Sequence, residues 1–162
     1  MLDLGTVLPP FKLTDISGKT VTDRDFGTAT ALVVAFICPH CPFVQHVRGG
    51  FVRFAGDYQP RGVAIVAINS NDTKAYPQDG LAGMKAEAAG AGFSFPYLFD
   101  ETQQVAKEFR VLRHLALQDQ HTCGITLLKV LSHRRDGFFR GDRRCWCCGD
   151  AARFYPRRHG GC

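Results

Sequence analysis

Four consecutive residues carry the chemistry of this chain: Cys38, Pro39, His40 and Cys41, followed at once by Pro42. Two cysteines separated by two residues bring a second thiol within reach of the first with little backbone movement, so the spacing suits a dithiol–disulfide couple. The attacking form of such a couple is the thiolate, and its availability is set by the thiol pKa. A helix opening behind the pair would offer unpaired N–H groups and a partial positive charge to the first sulfur. On that basis Cys38 is expected to be the more exposed and more acidic thiol, and Cys41, one turn into the helix, the more buried. His40, between them, is expected to act electrostatically.

Such a motif needs a rigid element in front and a helix behind. Residues 31–37 (ALVVAFI) are an unbroken apolar run rich in β-branched residues, the pattern of a strand buried on both faces of a parallel sheet. Behind it, Phe43, Val47, Phe51, Phe54 and Tyr58 recur at helical spacing, with Pro42 in the first turn where its missing N–H costs nothing. Gly49 and Gly50 predict a bend in that helix. Residues 63–68 (VAIVAI) form a second continuous apolar strand. Two such strands joined by a helix predict a right-handed βαβ crossover with parallel pairing.

The flanking segments read in order. Residues 11–22 predict a hairpin, with Asp15, Ser17 and Gly18 as turn formers. Residues 23–26 suit a single helical turn. Residues 69–80 (NSNDTKAYPQDG) read as a polar loop in which Asn71 and Asp72 are solvated turn formers unless they approach the cysteines. Leu81, Met84 and Ala88 mark a short helix closed by glycine. Residues 95–99 predict an edge strand, because Pro96 cannot donate to a ladder. Asp100 with Gln103 resembles a capping box ahead of a helical face at Val105, Phe109 and Leu112. His46 falls on the polar side of its helix.

At 162 residues with 45% hydrophobic and 22% charged residues, the chain has the size and composition of one ordinary α/β domain. The net charge of +5 is unevenly distributed. Up to Leu112 there are 10 Lys and Arg against 11 Asp and Glu; from Arg113 onward there are 10 against 4. Five of the seven cysteines also lie beyond residue 112, and no Glu follows Glu108. These differences divide the chain into a core (1–112), a stretch able to supply a β-hairpin (113–141), and an irregular basic, Cys-rich tail (142–162).

The motifs Leu8-Pro9-Pro10-Phe11, Asp15-Ile16-Ser17-Gly18-Lys19, Cys38-Pro39-His40-Cys41-Pro42, Asn69-Ser70-Asn71-Asp72 and Phe95-Pro96-Tyr97-Leu98-Phe99-Asp100 together resemble the thioredoxin-like superfamily. More narrowly, they are similar to its redoxin branch, related to alkyl hydroperoxide reductase and thiol-specific antioxidant proteins. The resemblance implies an α/β thioredoxin-like fold with an N-terminal β-hairpin. It implies thiol–disulfide oxidoreductase activity, with Cys38 as attacking thiol, Cys41 as resolving thiol, and Pro39 and His40 tuning them. The Pro-His pair is similar to that of periplasmic disulfide-introducing enzymes, where a histidine stabilises the thiolate and makes the disulfide oxidising. Partners would be protein thiols or disulfides and an electron donor, with no cofactor. A peroxidase of this superfamily would carry Thr three residues before its reactive cysteine; here that residue is Ala35.

The family pattern also calls for a cis-proline loop and a closing ββα part. No Thr-Pro or Val-Pro pair follows Val111. Either Thr122-Cys123-Gly124 and a hairpin over 125–140 replace that part, or it is missing or degraded and the tail is out of frame. In the second case an edge of the 31–37 strand stays open, and low activity and poor solubility follow. A truncated, non-enzymatic thioredoxin-like chain is the limiting form of that reading. Cys38 and Cys41 also form half a zinc site, for which Cys145, Cys147 and Cys148 offer a second half without the usual two-residue gap. The arginines at 134–135 and 143–144 lack interleaved aromatics and read as compositional bias rather than nucleic-acid binding. No apolar run is long enough to cross a bilayer. Without a basic-then-apolar leader, a cytoplasmic setting is expected.

Overall fold

The structure, a computed structural model, describes residues 8–111. The proposed substitute hairpin at 113–141, the tail at 142–162 and the question of a missing ββα part lie outside the described residues. In chain order the elements are β1 (Lys12–Asp15), β2 (Thr20–Thr22), β3 (Ala31–Phe36), α1 (Pro42–Tyr58), β4 (Val63–Asn69), α2 (Leu81–Ala91), β5 (Tyr97–Phe99) and α3 (Gln104–Glu108). Short 3-10 turns occupy Asp23–Phe26, Gln59–Arg61 and Pro77–Asp79.

The five strands form one mixed sheet in the order β2-β1-β5-β4-β3. As the apolar runs predict, β3 and β4 pair in parallel, from Ala31↔Val63 to Phe36↔Ile68. Among the described residues β3 pairs only with β4. Alternation along β3 and β4 sends side chains into two cores. Val33, Ala35, Ile65 and Ala67 pack beneath α1 and α2, while Leu32, Val34, Phe36, Val66 and Ile68 pack on the other face with Phe11, Val105 and Phe109. Full burial of each such Val, Ile, Leu or Phe contributes about 1.5–3 kcal/mol, so this pair of strands anchors both cores. The N-terminal hairpin forms as predicted, with Lys12↔Thr22 and Thr14↔Thr20 in register.

Three expectations need correction. β5 is not an edge strand: it lies between β1 and β4. Pro96 is compatible with this because the strand begins one residue later, and its carbonyl accepts the N–H of Ala67 at 2.9 Å. The Asp100/Gln103 capping box does not form. Instead the fully buried Asp100 carboxylate accepts from Ser70 Oγ (2.9 Å) and from the Ala106 N–H (3.0 Å), tying β4's end to the first turn of α3. On α1 the buried residues are Val44 and Ala55, with Phe51 and Phe54 packed against the core, while Phe43, Val47 and Tyr58 are exposed. The helix runs unbroken through Gly49 and Gly50.

Candidate active site

The site forms where β3 and β4 end side by side. A parallel ladder brings both C-terminal ends to one edge of the sheet, and the Ile37 N–H extends the ladder by one bond to the Ile68 carbonyl (3.0 Å). Cys38 follows directly. Residues 38–41 then make a tight turn, with the Cys41 N–H approaching the Cys38 carbonyl at 3.4 Å. Cys41 is the N-cap residue of α1, Pro42 occupies its first turn, and the Gln45 N–H closes the first helical bond onto the Cys41 carbonyl. The Gln45 side chain also donates to the Pro39 carbonyl at 3.0 Å, which pins the turn.

From β4 the chain delivers Asn69, Ser70 and Asn71, all buried. The polar segment that follows is not a solvated loop throughout. It folds back so that the turn Pro77–Asp79 places Asp79, with no exposed surface, against the cysteine turn. Asp79 is the hub. Its Oδ1 accepts the His40 backbone N–H (3.1 Å), and its Oδ2 accepts from His40 Nδ1 (2.5 Å) and from the Asn71 side-chain amide (2.7 Å). Its backbone carbonyl accepts from the Asn69 side chain at 2.6 Å. The His40 ring stacks on Tyr76, with centroids 4.9 Å apart and planes 9° apart. Charge-assisted hydrogen bonds of this kind are the strong ones, so Asp79 fixes the orientation of His40.

The two cysteines differ from expectation. Cys38 is a free thiol with no exposed surface, and Cys41 is 2% exposed, so neither is the open one. The Cys38 pKa is not lowered. Burial, and then the charge of Asp79, push the thiol up to about 12, against smaller lowering contributions from the Cys41 N–H and the Asn71 amide. The physical reason is plain. Helix α1 begins at Pro42, beyond the cysteine turn, while a carboxylate that the linear motif does not contain sits beside the sulfur.

Below the cysteines lies a second buried polar group. The Tyr97 hydroxyl donates to Glu87 Oε2 (3.1 Å) and lies 3.3 Å from the Ile37 carbonyl. Burial raises the Glu87 pKa, and burial with the neighbouring Glu87 charge raises that of Tyr97. Glu87 is 7% exposed. Of the residues predicted to carry chemistry, Cys38, Cys41, Pro39 and His40 are held in one turn, and Asn71 joins them. Asp72 stays at the surface side and caps its own turn through Lys74 N–H, and His46 is exposed. The sequence reading missed Asp79, Asn69, Glu87 and Tyr97.

This arrangement, a mixed sheet with a cysteine turn between a buried parallel strand and a helix, defines a thioredoxin-like fold. The pattern of the AhpC/TSA family matches residues 4–134, and the chain belongs to that family. An uncharacterized conserved protein from Geobacillus kaustophilus is similar at 50% identity and a TM-score of 0.66, covering 68% of this chain and 59% of its own. A hypothetical protein from Sinorhizobium meliloti 1021 is similar at 45% identity and a TM-score of 0.65, covering 67% of this chain and 60% of its own. The chain therefore spans about 60% of the length of these two structures. A secreted Mycobacterium tuberculosis disulfide oxidoreductase shares the fold at 20% identity and a TM-score of 0.53, over 62% of this chain and 68% of its own. No curated protein matches this chain. Among the described residues no helix is long and apolar enough to cross a membrane.

Proposed function

We propose that this chain is a thiol–disulfide oxidoreductase that acts on protein disulfides through a Cys38/Cys41 couple, running as a reductant. The observation that carries the reading is the tight turn that holds Cys38 and Cys41 together at the end of β3, where the Cys41 N–H and the Asn71 amide also act to lower the Cys38 pKa. Donors fixed before reaction stabilise the negative charge that develops on sulfur without any reorganisation. Ala35, a buried β3 residue with no hydroxyl, supports disulfide exchange over peroxide reduction.

In the proposed cycle, Cys38 loses its proton and its sulfur attacks one sulfur of a substrate disulfide. That S–S bond breaks, the first substrate thiolate leaves and takes up a proton, and a mixed disulfide remains. Cys41, deprotonated in turn, attacks Cys38 Sγ, forms the intramolecular disulfide and releases the second substrate thiolate. The substrate has gained two electrons and the chain has lost two, which an external dithiol of lower potential restores. His40, oriented by Asp79 beside the sulfur, is positioned to take the Cys38 proton.

The direction follows from the electrostatics. A low thiol pKa stabilises the reduced form and makes the disulfide oxidising. Here burial and Asp79 do the reverse, so the expectation of an oxidising His40 motif is replaced by that of a reducing couple. Equilibration with glutathione, followed by peptide mapping of the Cys38–Cys41 disulfide, tests this. A potential nearer the roughly −270 mV of thioredoxin than the roughly −120 mV of a strong oxidant is expected. A potential at the oxidising end would overturn the direction, and the lack of any Cys38–Cys41 disulfide would overturn the couple itself.

A further inference from the structure

We propose that the reduced chain binds one zinc ion through Cys38, His40 and Asp79. Cysteine sulfur, imidazole nitrogen and carboxylate oxygen from these three residues lie within 4.8 Å of one another. Zinc–ligand bonds of about 2.0–2.3 Å place tetrahedral donor atoms roughly 3.3–3.6 Å apart, so side-chain movements of about 1 Å close the set. The other half of the site thus comes from the turn after β4.

Two further observations point to a ligand here. Asn71, 1% exposed, keeps its Oδ1 buried without a hydrogen-bond partner, although its amide group is committed to Asp79. A water in the fourth coordination position would supply the missing donor. Among the described residues the ion pair of the fully buried Asp79 is with His40 alone, so a carboxylate and a thiol share a buried site. A divalent cation turns the repulsion between carboxylate and thiolate into common attraction. Mixed sulfur, nitrogen and oxygen donors suit zinc better than copper(I), which selects thiolate and thioether ligands. Binding releases the Cys38 proton to solvent. It requires Cys38 reduced, and it is otherwise independent of the proposed catalytic cycle.

The test uses the full chain with the cysteines at 123, 145, 147, 148 and 162 replaced by serine, reduced and stripped with chelator. Zinc is titrated against a chromophoric competitor, with cobalt(II) as spectroscopic probe. One equivalent of zinc, a thiolate-to-cobalt charge-transfer band, a tetrahedral ligand-field spectrum and a zinc-dependent rise in melting temperature are expected. Asp79→Asn and Cys38→Ser should each weaken zinc at least tenfold, and Cys41→Ser should change it less than threefold. His40→Gln, at a partly exposed side chain, repeats the test should Asp79→Asn not fold. No zinc in the parent, or zinc lost with Cys41→Ser and kept with both Asp79→Asn and His40→Gln, overturns the assignment. Disulfide mapping of the oxidised parent is unaffected by either result, so failure of the zinc site and failure of the redox couple are read separately.

Discussion

Replacing Asp79 with asparagine should make Cys38 markedly more reactive. The carboxylate lies within 4.8 Å of the sulfur. Two unit charges at that separation repel by about 3.5 kcal/mol at an effective dielectric constant of about 20. At 1.36 kcal/mol for each pKa unit, removing the charge lowers the Cys38 pKa by about 2.5. With a parent value of about 12, the thiol is almost wholly protonated at pH 7 in both forms, and the thiolate fraction rises roughly 300-fold. Nucleophilicity falls with a slope of about 0.4–0.5 per pKa unit, which removes roughly a factor of 13. The net expectation is a 20- to 30-fold faster reaction with a small aromatic disulfide. The assay is stopped-flow release of the aromatic thiol at pH 7, in chelator, with Cys38 as the sole cysteine. The parent rate should keep climbing with pH beyond about 10, whereas the variant should level off earlier. An unchanged or slower rate, with no movement of the plateau, would refute the claim that the Asp79 charge holds the thiol up.

Other consequences follow from the same structure. A Cβ on Gly83 would fall inside contact distance of the Gln78 carbonyl, so Gly83→Ala should displace the turn carrying Asp79. We expect a loss of about 1–3 kcal/mol in denaturant unfolding, together with a Cys38 reaction shifted in the same, faster direction as in Asp79→Asn. Glu87 has a raised folded-state pKa, caused first by burial. The unfolded chain therefore releases this proton first, and stability declines as pH rises above the ordinary carboxyl value of 4.5. Glu87→Gln should raise the melting temperature at pH 7 and do little below pH 4.5; equal effects at both values would show that Glu87 acts by packing alone. Asp100→Ala removes the carboxylate that accepts from Ser70 Oγ and from the Ala106 N–H. It should cost about 3 kcal/mol by chemical denaturation, with α3 amides losing hydrogen-exchange protection first.

The parallel ladder was legible because residues 31–37 and 63–68 are short, β-branched apolar runs without alternation, the pattern of a strand covered on both faces. The cysteine turn was legible for the same local reason: its residues are contiguous. What was not legible is long-range. Asp79 belongs to a Pro-Gln-Asp-Gly run that reads as surface turn, and it becomes buried only because the chain returns from Tyr76 onto the end of β4. Asn71 looked solvated, yet its position two residues past a buried strand leaves it under the cysteine turn. The acidity of Cys38 was misjudged because proximity to a helix start is a sequence property, whereas the burial that chiefly raises its pKa, and the opposing carboxylate 41 positions away, are set by the fold. Pro96 misled in a different way, since one residue of offset separates a strand-breaking proline from one that merely precedes a central strand.

The position of β1 bears on how the chain forms during synthesis. β1 sits between β2, its neighbour in sequence, and β5, where the Tyr97 N–H donates to Asp15 Oδ1 across 82 residues. A ribosome adding about 5–20 residues per second therefore makes Asp15 roughly 4–16 s before its partner exists. Throughout that interval the first hairpin is a two-stranded ribbon, marginally stable at best. The β3–α1–β4 unit, by contrast, is complete by Asn69 and can pair as soon as it emerges. The reactive turn is thus assembled on a half-built sheet, and the N-terminal strands, although the first to be made, are locked in only once β5 has emerged.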